Sequence, residues 1–284
     1  LEIGGHLGTA GGRFTLDYSF SRKRVRNLVG VASIPSPDGV IDIPENIGAI
    51  ESRTHELALG LMLVEHRTVQ WSLSLSGDRS RGEITEYRLP ESLGGSGFQP
   101  AAFRRATGAG LGEIYGTRAV RTIDQLYDDP AKASRRKAGE EFDPAKFVVN
   151  EEGYVVLLEG WRTANERPIT YVTCKTRDSS GACTASTSLV RIGDGTPDFV
   201  AGVGSRLAWG GLGVSWLVAW SQGGDIYNGT RQWPFFENRD PVFDQRGKSE
   251  VEKKSTAYYR TFFNSLNPHA YFVESGTFVK VREV

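Results

Sequence analysis

Across residues 212–221 the chain sorts its side chains by parity, and few folds tolerate the outcome. Leu212, Val214, Trp216, Val218 and Trp220 fall on one face of an extended strand, while Gly213, Ser215, Leu217, Ala219 and Ser221 fall on the other. Residues 200–209 lead into this run through Gly210-Gly211, a pair suited to the tightest hairpin turns. A soluble sheet buries its bulky face and shows charges or Thr on the other. Here the second face is mostly Gly, Ser and Ala, which suits the water-filled interior of a membrane barrel whose outside meets lipid.

The same pattern recurs. Phe14, Leu16, Tyr18 and Phe20 oppose Thr15, Asp17, Ser19 and Ser21; Leu57, Leu59, Leu61 and Leu63 oppose Glu56, Ala58, Gly60 and Met62. Val69, Trp71, Leu73 and Leu75 oppose Gln70, Ser72, Ser74 and Ser76. Period two holds over eight residues where helical spacing fails. Four alternating leucines without a charge among them would invite edge-to-edge aggregation on a soluble sheet; against lipid they need no other cause. Short turns after Leu7, at 65–68 and at 210–211 alternate with long connections at about 22–52, 77–197 and 222–276. Outer-membrane barrels show this asymmetry, tight turns inside and long loops outside. Compact soluble domains rarely hold three such excursions. The expected fold class is therefore all-β: antiparallel transmembrane β-barrel strands, about seven of them, forming a partial barrel with long extracellular loops over residues 1–284.

Charge and composition exclude other classes. Lys plus Arg and Asp plus Glu both total 34, so no net field favours nucleic acid. The basic run at 22–26 lacks interleaved aromatics and fits a strand mouth meeting charged lipid headgroups or solvent. No apolar run reaches the roughly 20 residues of a membrane helix, which excludes helical spans and not barrel strands of about 9–11 residues. A chain opening on Leu1 without a leader pattern is expected to be a mature piece or an excised fragment. Cys174 and Cys183, nine apart in a polar Gly/Ser-rich stretch, suggest a disulfide closing a surface excursion in an oxidising compartment, the alternative being two free thiols. His6, His55, His66 and His269 have no metal spacing, and no cofactor is expected.

Catalytic signatures are missing too: there is no nucleophile elbow, no His paired with Ser or Cys, and no alignable carboxylate pair, so no enzyme is expected. Gly108, Gly110 and Gly112 form no nucleotide loop, because neither an apolar strand precedes them nor a helix pattern follows. Residues 128–141 are charged and read as a helix or solvated coil. Val251, Tyr258, Tyr259, Phe262, Phe263 and Leu266 recur at helical spacing and predict a short amphipathic helix. For ligand contact the candidates are Asp225, Tyr227, Asn228 and Trp233, since aromatic rings stack on sugar faces and Asn/Asp bind hydroxyls. The alternative is that Tyr227 and Trp233 join an interfacial aromatic girdle or pack their loop.

Several stretches, in order, resemble the SusC/RagA-type TonB-dependent receptors of the Gram-negative outer membrane. RFTLDYSFSRK is similar to a family barrel strand, and PENIGAIESRTHELAL with VQWSLSLSGDRS to a family strand pair. IGDGTPDFVAGVGSRLAWGGLGVSW, QGGDIYNGTRQW and FVESGTFVKVRE resemble a second strand pair, its loop and the start of a strand. His55 stands where the family usually has Gly, and the Cys174–Cys183 loop has no counterpart. The resemblance implies part of a barrel of about 22 strands, with the plug and TonB-contacting segment outside this sequence. It also implies energised import of glycans or oligopeptides at the cell outer membrane, with a SusD-like surface lipoprotein as lid, the TonB complex and outer-membrane lipid as partners, and no nucleic acid. Two rivals stay open: a secreted soluble β-sandwich carbohydrate-binding module, and a β-rich glycosidase with two carboxylates in one cleft.

Overall fold

Backbone pairing converts the parity pattern into one sheet. The computed structural model describes residues 1–9, 11–36, 39–94, 102–130, 142–263 and 267–284. Its main sheet holds seven strands in chain order: β1 (Glu2–Gly8), β2 (Phe14–Ser36), β3 (Gly39–Glu65), β4 (Val69–Tyr87), β5 (Pro197–Trp209), β6 (Leu212–Gly223) and β7 (Phe278–Glu283). Every neighbour is antiparallel.

The register has a consequence that no single strand shows. Directly opposed residues share a face, and Leu7, Leu16, Leu59, Leu75, Val203, Val218 and Val281 are opposed one after another. One aliphatic side chain per strand thus crosses the whole sheet. One residue along most strands, the opposite face presents His6, Asp17, Ala58, Ser76, Gly202, Ala219 and Lys280. The outward face is apolar and the inner face small and polar, as lipid outside and water inside require. Trp209 and Leu212 are 65 % and 64 % exposed, a placement that lipid tolerates and water penalises.

Aromatic side chains mark both edges of this band. Near the tight turns stand Trp71, Trp209 and Trp216, with the Trp71 indole N–H donating to Ser205 Oγ at 2.9 Å. At the other edge Phe199 packs edge-on against Trp220 at 4.9 Å, and Tyr18 meets His55 Nδ1 at 2.8 Å. His55, the departure from the family's glycine, therefore belongs to an outward girdle, against Phe20 at 4.9 Å.

The tight turns all lie at one end. His66 and Val69 exchange backbone hydrogen bonds of 2.8 and 3.2 Å, and Gly210 closes the β5–β6 hairpin with φ +59°, a conformation glycine adopts freely. The connections at the opposite end differ from the sequence expectation. Among the described residues of 22–52 there is no long loop: β2 and β3 run on as a projecting ladder of 23 and 27 residues, far beyond the roughly 9–11 needed to cross a bilayer. Val29, Val31, Ile41 and Ile43 hold that ladder extended despite the Pro and Gly around them, and Asn27 at φ 56° carries the bulge.

The excursion between β4 and β5 also has its own structure. Strands Ser92–Gly94, Ala102–Arg105, Glu113–Gly116 and Val190–Asp194 make a second sheet. A hairpin of Thr173–Arg177 and Cys183–Thr187 carries the Cys174–Cys183 disulfide. Residues 108–111 hydrogen-bond along β4 at Gly82 and Ile84, which is what the glycine-rich stretch does here. Of residues 128–141, those from 131 on lie outside the described residues; a 3-10 helix, Ile123–Asp128, precedes them.

Between β6 and β7, strand Asp225–Tyr227 pairs with Val273–Ser275, and helix α1 (Gly229–Phe236) follows the first of them. The predicted amphipathic helix shrinks to α2 (Thr256–Arg260), capped by Ser255. Val251 lies outside it and exposed, and Leu266 lies outside the described residues. The helical spacing arose because Tyr258, Tyr259 and Phe262 enter an aromatic core, not because the helix is long.

If the outward face meets lipid, Leu75→Arg costs about 2–4 kcal/mol while its neighbour Ser76→Arg, on the inner face, is close to neutral. Urea unfolding of the two variants in lipid vesicles checks the difference; equal costs would mean the two faces share one environment.

Candidate functional site

Two surfaces are candidates for function: the inner wall of the sheet and the cap that the two excursions build at its open end. The inner wall is a hollow of about 1040 Å³ whose lining includes His6, Asp17, Ser19, Glu56, Ser76 and Asp78. Its polar groups are already organised. His6 Nδ1 lies 2.6 Å from Asp17 Oδ1, and Ser19 Oγ donates to Glu56 Oε2 at 2.9 Å. Small residues at Gly4, Ala58, Gly202 and Ala219 keep the wall low, so hydroxyl- or amide-bearing solutes can reach the carboxylates.

The cap forms because aromatic residues from both excursions share one core. Ala119 and Tyr154 come from the first; Phe235, Tyr258, Tyr259, Phe262 and Phe272 come from the second. Tyr154 meets Phe262 at 4.8 Å and Phe235 stands edge-on to Phe272 at 5.0 Å, within the range where ring pairs attract beyond their burial. Backbone bonds close the join: Thr117 N donates to the Pro268 carbonyl and Ala270 N to the Thr117 carbonyl, both at 2.8 Å.

Beside this core sits a buried polar latch. Lys254 Nζ, its side chain 1 % exposed, donates to both Glu166 oxygens and to Glu151 Oε2, each at 2.9 Å. Asn150 Nδ2 donates to Glu166 Oε1 at 2.7 Å and to the Tyr258 hydroxyl at 2.8 Å; Arg162 N donates to Glu166 Oε2 at 2.9 Å. Burial pulls Lys254 down, yet its hydrogen bonds to Glu166 and Glu151 outweigh this and hold it above its ordinary value. Burial pushes Glu151 up, and the bonds from Lys254 and Arg162 reverse that to about 2. Burial, with the Arg121 charge, lowers His269 to about 4, so it is neutral at pH 7. This latch escaped sequence reasoning: Lys254 lies 88 and 103 residues from its two carboxylate partners, and each alone resembles a solvated loop residue.

The four predicted ligand residues meet different fates. Asp225 Oδ2 accepts the Asp194 backbone N–H at 2.8 Å, tying the second excursion to the first. Tyr227 donates to Gln232 Oε1 at 3.0 Å and accepts from His269 N at 3.3 Å; burial raises it to about 12. Asn228 caps α1 by accepting Arg231 N at 2.8 Å, and its Nδ2 reaches Glu274 Oε1 at 2.9 Å. Trp233 stands apart on the surface, 62 % exposed, its nearest ring partner Phe236 at 6.2 Å. Three of the four thus hold the loop together and one is presented outward. Among the described residues no group of His, Cys, Asp or Glu is arranged to hold a metal.

No family model matches the chain. It is similar to the TonB-dependent receptor P39 of Formosa agariphila, 22% identical over 248 residues that make up 80% of this chain and 23% of that protein. Two solved structures share its fold. The RagAB peptide importer in its closed-closed state superposes over 99% of this chain and 27% of that one, with TM-score 0.60 and 14% identity. The RagAB peptide transporter superposes over 98% and 27%, with TM-score 0.54 and 13% identity. The chain therefore has the barrel fold of these transporters and spans about a quarter of the length of the proteins it matches.

Lys254→Met leaves Glu166 buried and uncompensated, and costs the cap about 3–5 kcal/mol. Adding Glu166→Leu restores much of it. Hydrogen exchange at residues 147–171 and 245–263 reads both effects. Acid acts in the same direction. The unfolded cap binds a proton at His269 below its ordinary 6.5, which the folded cap refuses until about 4, so stability falls as pH drops through that window. Glu151 adds a further loss from its ordinary 4.5 down to about 2. Amide protection factors in the cap, corrected for the slower chemical exchange in acid, should fall from pH 6.5 to 4; flat protection over that range would show that His269 is not coupled to folding.

Proposed function

We propose that residues 1–284 are a stretch of the β-barrel domain of a SusC-like, TonB-dependent importer of the Gram-negative outer membrane. One observation carries this: an aliphatic row crosses all seven strands and is backed by a row of small and polar residues on the other face. The likeness to a receptor named TonB-dependent and to the RagAB importer supports it. So does the open sheet: β1 and β7 each pair on one side only among the described residues, and lipid leaves an unpaired strand edge no hydrogen-bond partner. Further strands of the same barrel complete those edges. Plug and TonB-contacting segment belong to the same protein outside these residues, and a SusD-like lipoprotein covers the cap from outside.

The cargo is a glycan or an oligopeptide, admitted past the cap into the polar hollow. Trp233 offers it, or the lid protein, an exposed ring; Asp225, Tyr227 and Asn228 hold the loop that presents it. A secreted β-sandwich would have to bury the outward leucines, and this sheet leaves Leu57 half exposed.

The test is uptake in the native cell. In-frame deletion abolishes uptake of either a labelled oligosaccharide pool or a labelled oligopeptide pool, and a protonophore abolishes it in the parent strain. Trp233→Ala raises the half-saturating concentration roughly tenfold. Unchanged uptake of both pools in the deletion strain would overturn the importer reading.

A further inference from the structure

Resting on the lipid-facing assignment above, we infer that the outward face carries a docking ledge for phosphorylated glycolipid of the surrounding leaflet. The ledge is set by register. Arg22, Arg53 and Arg81 are opposed across β2, β3 and β4, and Arg79 lies on the same face in the next row, opposed to His55. Arg53 is four residues along β3 from Leu57 without an intervening bulge, so it shares the outward face about 13 Å further along the strand. Arg22 stands in the same relation to Tyr18. The guanidiniums thus follow directly on the girdle of Tyr18, Phe20 and Trp220, at the end opposite the tight turns, where headgroups replace acyl chains.

The arginines are held in position. Glu51, almost fully covered, takes Arg22 Nη2 at 2.7 Å and Arg53 Nη2 at 2.9 Å. Arg81 Nη2 binds Asp198 Oδ1 at 2.7 Å, and its Nη1 is held by the Pro197 carbonyl. Each guanidinium has five N–H donors, so these contacts fix the side chains and leave donors free. Arg24 and Arg79 carry no ion pair among the described residues. Five arginines (22, 24, 53, 79 and 81) face three carboxylates, Glu51, Glu83 and Asp198, which leaves a net positive ledge. Between Arg53 and Arg81 a cleft of about 250 Å³ opens against Gly108 and Gly110, with Glu51 and Glu83 also in its lining; Glu51 is already engaged by Arg22 and Arg53, and the space is enough for a phosphate on a sugar. A phosphate monoester matches the planar donor fork of arginine, and a lipid-anchored one is delivered at this height by its own acyl chains.

The wider arrangement excludes a soluble anionic cargo as the occupant. The ledge lies on the outside of the wall, with the polar hollow on the other face, so a transported solute never passes it.

The experiment uses the protein extracted in mild detergent from its own membrane. Native mass spectrometry counts bound copies of an acylated disaccharide lipid carrying phosphate monoesters, and of the same lipid dephosphorylated. The phosphorylated lipid should be retained and the dephosphorylated one lost. Arg24→Gln with Arg79→Gln, which breaks no ion pair, should weaken retention by roughly 30-fold, and millimolar inorganic phosphate should not displace the lipid. Equal retention of the two lipids, an unaffected double variant, or displacement by inorganic phosphate would each overturn the ledge. Membrane fractionation of the same cells separates this from the parent reading: a protein absent from the outer-membrane fraction refutes the barrel assignment, whereas one present there with unchanged lipid retention refutes only the ledge.

Discussion

Inside a bilayer a backbone amide or carbonyl has no water to turn to, so a strand can exist there only with paired neighbours on both sides. Everything else in this chain follows from satisfying that demand. Seven strands in chain order pair edge to edge, and the pairing forces opposed residues onto one face. Once Leu7 is opposed to Leu16, and that to Leu59 and Leu75, the outward surface is fixed for the whole sheet, and so is the polarity of the inner wall. The small inner residues are the complement: Gly202 and Gly204 lie against Ser76 and Ser74, where a larger side chain would crowd the neighbouring strand.

The cap solves a different problem. Its segments have no bilayer to order them, so they assemble as a small soluble protein does, around Phe235, Tyr258, Phe262 and Phe272. Two excursions far apart in the chain meet there, and the Lys254–Glu166–Glu151 latch fixes how they meet. A buried ion pair contributes little net stability against an apolar alternative, but a mismatched one is costly, so its value lies in selecting one docking of the two segments. The disulfide at Cys174–Cys183 sits apart from this join, closing its own hairpin.

The barrel wall was legible in the sequence because its rule is local: every second residue declares its face, and the turns at 65–68 and 210–211 need only a few residues to be recognised. The cap was not legible for the opposite reason. Glu166 and Lys254 find each other across 88 residues, and nothing near either one announces it. Tyr258, Tyr259 and Phe262 imitate an amphipathic helix because they point into one core, although only Thr256–Arg260 is helical. The ladder over 22–52 was hidden by Pro and Gly, whose turn preference loses here to continuous cross-strand pairing with β-branched partners. Of the site candidates, composition alone could not separate Trp233, which is presented, from Asp225, Tyr227 and Asn228, whose polar groups are spent within the chain.

The central claim is that consecutive residues of β6 alternate between lipid and water. Spin labels placed singly at positions 214 to 219 in the membrane-embedded protein test it most directly, by their collision rates with lipid-soluble oxygen and with a water-soluble nickel chelate. The account predicts oxygen-dominated relaxation at 214, 216 and 218 and chelate-dominated relaxation at 215, 217 and 219. A profile without period two, or one in which every position answers to the chelate, would contradict it.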